Sequence, residues 1–156
     1  YTQFCAGQFA DIKDLFFFGR GLDYSLSLEG SLKMKEISYI HCEAYAAGEM
    51  KHGTIALIAP GVPVVAVCTQ EFLLTKMIGN IKEVQSRGAK VLLITKEGME
   101  IDPELYNYRI NLPVLNDIFM PLVGVIVLQL LAYYSAVIRD LDVDKPRNLA
   151  KSVTVE

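Results

Sequence analysis

The stretch Leu15-Phe16-Phe17-Phe18-Gly19-Arg20-Gly21 decides the fold class. Four consecutive apolar residues before a glycine-flanked turn are typical of a strand that is buried on both faces and leads into a tight turn. A helix is predicted to follow over residues 22–47, since Leu28, Leu32, Ile37 and Ile40 recur at helical spacing. Gly48 and Gly53 bracket the end of this helix and the loop beyond it.

Strands and helices are predicted to alternate along the rest of the chain. Further apolar strands are predicted at residues 55–58, 64–68, 90–95 and 108–112, with helices at residues 71–87 and 118–138. This order predicts an α/β protein, three-layer α/β/α, with a mainly parallel, flavodoxin-like sheet of about five strands. In such sheets ligands bind beyond the carboxyl ends of the strands, where Gly19-Arg20-Gly21 is expected. Without a third glycine that motif is a weak dinucleotide fingerprint, and we interpret it rather as a plain strand-to-helix turn.

Composition limits the classes of protein to which the chain can belong. Its 156 residues predict one domain, residues 1–156, and a hydrophobic content of 52% supplies a large core. A net charge of -3 gives no basic field for nucleic acid. Cys5, Cys42 and Cys68 have no metal-like spacing, so we expect reduced thiols, a cytoplasmic location and no metal site. The first residue is Tyr1 and no signal-peptide pattern follows, so we expect a piece of a longer chain.

Residues 118–138 form an uncharged run long enough to span a bilayer. Pro121, Gly124 and Gln129 interrupt its apolar character, and the flanking charges define no positive side. A helix buried on all sides of a soluble protein has the same composition. Because the remainder of the sequence is typical of an α/β domain, we interpret the run as such a helix and expect no membrane association.

Three charged residues of the first long helix have the spacing of a helical stripe. Glu29, Lys33 and Glu36 stand at i, i+4 and i+7 and are therefore expected on one face. A solvated face with ordinary ion pairs explains this spacing. The alternative is a carboxylate held beside a cation in a cleft, which is the arrangement of a general base for carbon acids.

Two longer stretches carry a resemblance to a known family. Residues 29–53, EGSLKMKEISYIHCEAYAAGEMKHG, and residues 144–156, DKPRNLAKSVTVE, resemble the long helix with its loop and the C-terminal tail of glucosamine-6-phosphate synthase. That enzyme is the glutamine-dependent fructose-6-phosphate aminotransferase. The resemblance implies that residues 1–156 are the second of its two sugar isomerase (SIS) domains, with residues 140–156 as the active-site tail. The tail alternates Leu149, Val153 and Val155 with polar residues, so it is expected to pack rather than fray.

The resemblance implies roles for individual residues. In the motif Lys33-Met34-Lys35-Glu36 the closing Glu36 matches the proton-transfer residue, Lys33 its supporting lysine and Glu29 the partner of that lysine. His52, in Glu49-Met50-Lys51-His52-Gly53, matches the histidine that assists ring opening in the neighbouring subunit, although Thr54 replaces the usual proline. Lys151 and Ala150 match the tail residues that enter the sugar site, and Arg147 is expected to anchor the tail. His41 is interpreted as a structural residue within the helix.

The implied activity belongs to a larger enzyme. It converts fructose 6-phosphate and glutamine to glucosamine 6-phosphate and glutamate, the entry step to UDP-N-acetylglucosamine, and it uses no cofactor. The implied partners are the phosphosugar, the first SIS domain with its phosphate loop, the glutaminase domain and a second subunit, so the fragment alone is expected to be inactive. Two alternatives stay open: an SIS enzyme that removes an amine from a sugar phosphate, and a non-catalytic SIS sensor of sugar phosphates.

Overall fold

The structure is a computed structural model that describes residues 1–9 and 11–149. Five parallel strands form one sheet in the order β2-β1-β3-β4-β5. The strands are β1 (Asp14–Gly19), β2 (His41–Ala46), β3 (Pro63–Cys68), β4 (Lys90–Lys96) and β5 (Tyr108–Leu112). The helices are α1 (Thr2–Gly7), α2 (Leu22–Ser38), α3 (Leu74–Gln85) and α4 (Met120–Ile138). Short 3₁₀ helices lie at Ala47–His52, Thr54–Leu57, Glu71–Leu73, Pro103–Leu105 and Asp117–Phe119.

Both faces of the sheet are buried, which confirms the predicted three-layer architecture. Leu15 and Phe17 of β1 belong to the core under α1, α2 and α4, whereas Phe16 and Phe18 belong to the core under α3. Alternate side chains of a strand point to opposite faces, so a strand covered on both sides must be apolar throughout. This requirement explains why the run from Leu15 to Phe18 contains no polar residue.

The predicted helix over residues 22–47 is wrong beyond Ser38. The helix α2 ends at Tyr39, which adopts the left-handed conformation with φ 58°, and the chain then forms the edge strand β2. Ile40 and Cys42 are buried and His41 is exposed, which is the alternation of a strand rather than of a helix. Parallel pairing of β2 with β1 therefore overrides the helical spacing. His41 is therefore not within a helix but is the first residue of β2. Its Nδ1 lies 2.9 Å from Oδ1 of Asp14, the first residue of β1.

The buried face of α2 also differs from the prediction. Leu28 and Leu32 are 46% and 43% exposed, although their spacing predicted a buried stripe. The face turned inward instead carries small and hydroxyl side chains together with two larger apolar ones: Leu26, Ser27, Gly30, Ser31 and Met34. These small residues allow the helix to approach the sheet and α4 closely, because a Cβ at Gly30 would lie 2.9 Å from a methyl carbon of Leu128.

The strand predicted at residues 55–58 is absent, and these residues fall largely within the 3₁₀ helix Thr54–Leu57. Only Ile58 of this segment is buried, while Leu57 is exposed. A short apolar run without a partner edge cannot satisfy its backbone groups as a strand, and β3 occupies the place next to β1 instead. The sheet thus has the expected five strands with β2 in place of the segment at residues 55–58.

The segment Asp117–Ile138 is long and apolar enough to cross a membrane by length and composition. In the structure it contains α4, which packs against α1 and α2 through Gly124, Leu128, Leu131, Ala132 and Ala136. The prediction that this helix is buried on all sides is wrong, since one row of its apolar side chains is exposed. That row consists of Leu122, Ile126, Leu130, Tyr133 and Val137.

We expect Gly19→Ala to destabilise the fold by roughly 1–3 kcal/mol, because a Cβ at this position would overlap the backbone C and O atoms of Asp23, which cannot move independently of α2. The matched control is Gly79→Ala within α3, where no heavy atom lies within 4 Å of the added carbon. There the gain in helix propensity should stabilise by about 0.5–1 kcal/mol. Urea unfolding of both variants measures the difference, and equal stability of Gly19→Ala and the parent chain would contradict the packing argument.

Candidate functional site

The three charged residues on the outer face of α2 form one ion-pair network. Lys33 Nζ lies 2.7 Å from Glu36 Oε2 and 3.7 Å from Glu29 Oε1. The hydrogen bond to Glu36 raises the pKa of Lys33 above its ordinary value, so the lysine stays charged beside the carboxylate. The predicted stripe is therefore confirmed as an arrangement of side chains, with Glu36 as its most closely paired carboxylate.

A cavity of about 300 Å³ lies beside Glu36. Its wall is formed by the C-terminal half of α2 and by the last described residues of the chain: Leu32, Lys35, Glu36, Tyr39, Arg147, Asn148 and Leu149. This volume is at the lower end of the range for small-molecule sites. A carboxylate with a cationic neighbour at the wall of such a cavity has the arrangement needed to move a proton on a bound molecule.

The segment before the C-terminus reaches this cavity through Tyr39. The backbone N–H of Arg147 donates a hydrogen bond of 2.8 Å to Tyr39 Oη, and the Arg147 guanidinium lies 4.1 Å from the centre of the tyrosine ring. Arg147, which was expected to anchor the tail, therefore contacts Tyr39 at the end of α2. Leu149 lines the cavity although it is 53% exposed. Ala150, Lys151, Val153 and Val155 lie outside the described residues, so their predicted roles are untested.

His52 lies far from Glu36 within one chain. The helix α2 begins after the carboxyl end of β1 and runs back to the amino edge of the sheet, where Glu36 and Tyr39 lie. The strand β2 then returns across the sheet to its carboxyl edge, and His52 is exposed at the end of the following 3₁₀ helix. The six residues of β2 separate these two edges by roughly 15–20 Å. The structure therefore brings Lys33 and Glu36 together and leaves His52 apart.

The carboxyl edge of the sheet, where Gly19-Arg20-Gly21 lies, is held by side chains that sequence reasoning missed. Asp23 is 1% exposed and accepts hydrogen bonds of 2.7 Å from the Thr69 backbone N–H and 2.6 Å from its hydroxyl. Burial raises the pKa of Asp23, and the hydrogen bonds from Thr69 oppose that rise. Arg20 Nε donates to Asn80 Oδ1 at 3.0 Å. This turn is therefore a structural junction between β1, α2 and β3.

Lys96 lies at the same carboxyl edge of the sheet, as the last residue of β4. Its side chain is 4% exposed, and its Nζ lies 2.7 Å from both Glu71 Oε1 and Asp117 Oδ1. Burial lowers the pKa of Lys96, but the hydrogen bonds to Asp117 and Glu71 outweigh that effect and raise it. A lysine at the end of an apolar strand signals a buried cation that needs carboxylate partners, and the sequence contained this signal.

The cysteines and the possible metal ligands add no further site. Cys5, Cys42 and Cys68 are free and buried. Burial raises the pKa of Cys42 and that of Cys68 to about 12, so both remain neutral thiols near neutral pH. Within residues 1–9 and 11–149, no three His, Cys, Asp or Glu side chains are grouped so that they could hold a metal ion.

Comparison with known proteins agrees with this architecture. The glutamine–fructose-6-phosphate aminotransferase (isomerizing) of Clostridium acetobutylicum is 59% identical over 144 residues, which is 92% of this chain and 24% of the relative. The solved C-terminal domain of the aminotransferase from Francisella tularensis superimposes with a TM-score of 0.85 at 40% identity, covering 92% of this chain and 41% of that one. Glucosamine-6-phosphate deaminase from Thermotoga maritima gives a TM-score of 0.72 at 26% identity, covering 99% and 46%.

These matches confirm the resemblance of the chain to the aminotransferase. The chain spans about a quarter of the length of the curated relatives it matches. Residues 8–139 match the SIS domain family, and the five-stranded parallel sheet with helices on both faces is the fold of its solved neighbours. The chain therefore belongs to the SIS domain family.

Proposed function

We propose that this chain is the second SIS domain of an enzyme that converts fructose 6-phosphate and glutamine to glucosamine 6-phosphate and glutamate. The observation that carries the proposal is Glu36, which is paired with Lys33 and lines a cavity that the C-terminal segment borders. The relative at 59% identity is an aminotransferase of this name, which favours the same reaction here. The reaction opens the route to UDP-N-acetylglucosamine, and we propose a cytoplasmic location for it.

Glu36 is the proposed base of the isomerisation. It takes a proton from C1 of the imine of fructose 6-phosphate, so that the C1–H electron pair forms a C1–C2 double bond and the C2–N π electrons move to nitrogen, which is protonated. Return of a proton to C2 and loss of the C1 hydroxyl proton leave an amine at C2 and an aldehyde at C1. Lys33 holds a positive charge 2.7 Å from the Glu36 carboxylate and thereby fixes the position of this carboxylate for the first step.

The C-terminal tail supplies the remaining groups of the proposed site. Lys151 follows Arg147 by four positions and stabilises the developing negative charge on oxygen, while the backbone of Ala150 binds the sugar. Glu29 completes the network around Lys33 at 3.7 Å and contributes to substrate binding through it. Arg147 supports this arrangement because its contact with Tyr39 directs the tail toward the cavity that Glu36 lines.

His52 acts in the site of a partner subunit in a proposed homodimer. Its position at the carboxyl edge of the sheet, one strand length from Glu36, means that a single chain does not supply both groups to one sugar. A twofold axis would give two equivalent sites, each with Glu36 from one chain and His52 from the other. An imidazole has one ring nitrogen that can donate a proton and one that can accept it, so His52 can transfer a proton to the ring oxygen during ring opening.

The first SIS domain is the proposed occupant of the exposed apolar rows on α2 and α4. These rows, Leu28 and Leu32 on α2 and Leu122, Ile126, Leu130, Tyr133 and Val137 on α4, lie on two helices that pack against each other. Exposed apolar surface of this extent marks an interaction site. The Francisella chain is more than twice as long as the part that this chain covers, so the matched proteins contain additional sequence that can cover such a face.

Two observations weigh against the alternative functions. The likeness to glucosamine-6-phosphate deaminase is at 26% identity, whereas the likeness to the aminotransferase is at 59%. A sensor of sugar phosphates needs no proton-transfer base, yet Glu36 is held as a charged pair at a cavity wall. A requirement for glutamine in product formation separates the aminotransferase from the deaminase.

Replacing Glu36 with Gln in the intact enzyme should lower glucosamine 6-phosphate formation by about 100-fold or more, because the amide cannot accept the C1 proton. Glutamine hydrolysis by the separate glutaminase domain should continue. Glu83→Gln, which alters a carboxylate on α3 across the sheet, is the matched control and should leave both activities near the parent values. Product formation at the parent rate by Glu36→Gln would remove this residue from the proposed role.

Mixing inactive Glu36→Gln and His52→Ala enzymes should restore activity if each site is shared between subunits. After random subunit exchange, half of the dimers are mixed and each contains one intact site, so about a quarter of the parent activity is expected. Mass spectrometry of isotope-labelled subunits confirms the exchange. Complete exchange without recovered activity would show that both residues act within one chain.

Glucosamine 6-phosphate should bind a recombinant protein that contains both SIS domains but not this chain alone. At the carboxyl edge of this sheet Lys96 is paired with Glu71 and Asp117, and Arg20 donates to Asn80, so we expect the phosphate grip to come from the other domain. Isothermal titration calorimetry measures both affinities under the same buffer conditions. Comparable binding by the shorter chain would show that it carries its own phosphate site and would favour the sensor.

A further inference from the structure

Tyr39 ends α2 in a conformation that a tyrosine rarely adopts. Its φ and ψ are 58° and 19°, the left-handed region in which helices commonly place a glycine after their last turn. Among the described residues that are not glycine, Asp140 and Asn148 also have a positive φ. Aspartate and asparagine adopt the left-handed conformation more readily than tyrosine does. Backbone strain of this kind persists where surrounding contacts enforce it and is concentrated at functional sites.

The conformation of Tyr39 gives its side chain two contacts with one residue of the C-terminal segment. Tyr39 Oη accepts a hydrogen bond of 2.8 Å from the backbone N–H of Arg147, and the guanidinium of Arg147 lies 4.1 Å from the ring centre. The hydrogen bond fixes the backbone of the segment, while the cation–π contact fixes the direction of the side chain. The two contacts together hold the position and the orientation of the chain at Arg147.

The contact between Tyr39 and Arg147 lies between Glu36 and Lys151 along the chain segments that carry them. Tyr39 follows Glu36 by three residues, and Arg147 precedes Lys151 by four, so an extended chain carries Lys151 at most about 14 Å from the anchor. Glu36, Tyr39 and Arg147 line the same cavity. Fixing the segment at Tyr39 therefore restricts the space that Lys151 can reach around Glu36.

We propose that Tyr39 is a positioning residue that anchors the C-terminal tail against the end of α2 and thereby sets the approach of Lys151 to Glu36. The anchoring stands on the two contacts with Arg147. The link to Lys151 rests on the proposed function. Tyr39 itself is not required to touch substrate.

The anchoring is tested by backbone ¹⁵N relaxation of this chain, whose mass of 17.4 kDa suits the method. Tyr39→Phe keeps the ring and removes the hydroxyl acceptor, and the order parameters of Asn148 and Leu149 should fall below about 0.6. Tyr106→Phe is the matched control, because Tyr106 also has an arginine, Arg109, over its ring at 5.8 Å. Unchanged order at Asn148 and Leu149 in Tyr39→Phe would overturn the anchor.

Tyr39→Gly separates the anchor from helix termination. Glycine adopts the left-handed conformation readily, so α2 should still end at this position and the urea midpoint should not fall through backbone strain. The tail should nevertheless be released as in Tyr39→Phe. Retained order of Asn148 and Leu149 in the glycine variant would show that other contacts hold the segment and would contradict the proposal.

The link to Lys151 is tested by kinetics in the intact enzyme. Tyr39→Phe should lower kcat for glucosamine 6-phosphate formation several-fold and leave glutamine hydrolysis unchanged, and it should have no further effect when Lys151 is already replaced by Ala. Additive effects of the two substitutions would overturn the link. A released tail with unchanged catalysis in Tyr39→Phe would support the anchor and overturn the link to Lys151, whereas unchanged catalysis in Lys151→Ala itself would contradict the proposed function, so the two failures are distinguishable.

Discussion

The close packing of α2 against β1 and α4 is the constraint on which the other features depend. A Cβ at Gly30 would lie 2.9 Å from Leu128 and 3.2 Å from Phe17, and one at Gly124 would overlap the Leu26 side chain. Contacts this short allow only small residues at these two positions, so the inward face of α2 is fixed. Leu28, Leu32 and the charged stripe must then face outward. The exposed apolar rows and the proposed catalytic network consequently lie on the same outer side of the domain. A domain that covers the apolar rows therefore comes close to Lys33 and Glu36.

The elements that the sequence predicted well are those whose pattern depends on burial alone. A strand covered on both faces has to be apolar, and β1, β3 and β4 have apolar side chains in both core clusters, whereas the edge strand β5 has them in only one. The edge strand β2 was missed because its pairing with β1 is a tertiary effect, while its residues continue a helical spacing from α2. The inward face of α2 was mispredicted for a related reason: close helix packing favours glycine and serine over leucine, which inverts the usual hydrophobic pattern.

The sequence predicts the arrangement of candidate site residues where one element carries them and not where several elements meet. Lys33 and Glu36 are one helical turn apart, so their spacing alone places them together. The separation of His52 from Glu36 depends on the end of α2 and on the direction of β2, neither of which was predicted. Tyr39 was not identified because its importance arises from a contact with a residue 108 positions away.

The charges at the carboxyl edge explain why chemistry is expected at the other end of α2. Open parallel sheets bind ligands beyond the carboxyl ends of their strands. In this chain Lys96 is paired there with Glu71 and Asp117, and Asp23 is paired with Thr69. An anion such as a sugar phosphate could reach the buried Lys96 only by displacing one of these two carboxylates. In the proposed function the contribution of this chain to the site therefore lies on the outer face of α2, and groups from another domain hold the phosphate.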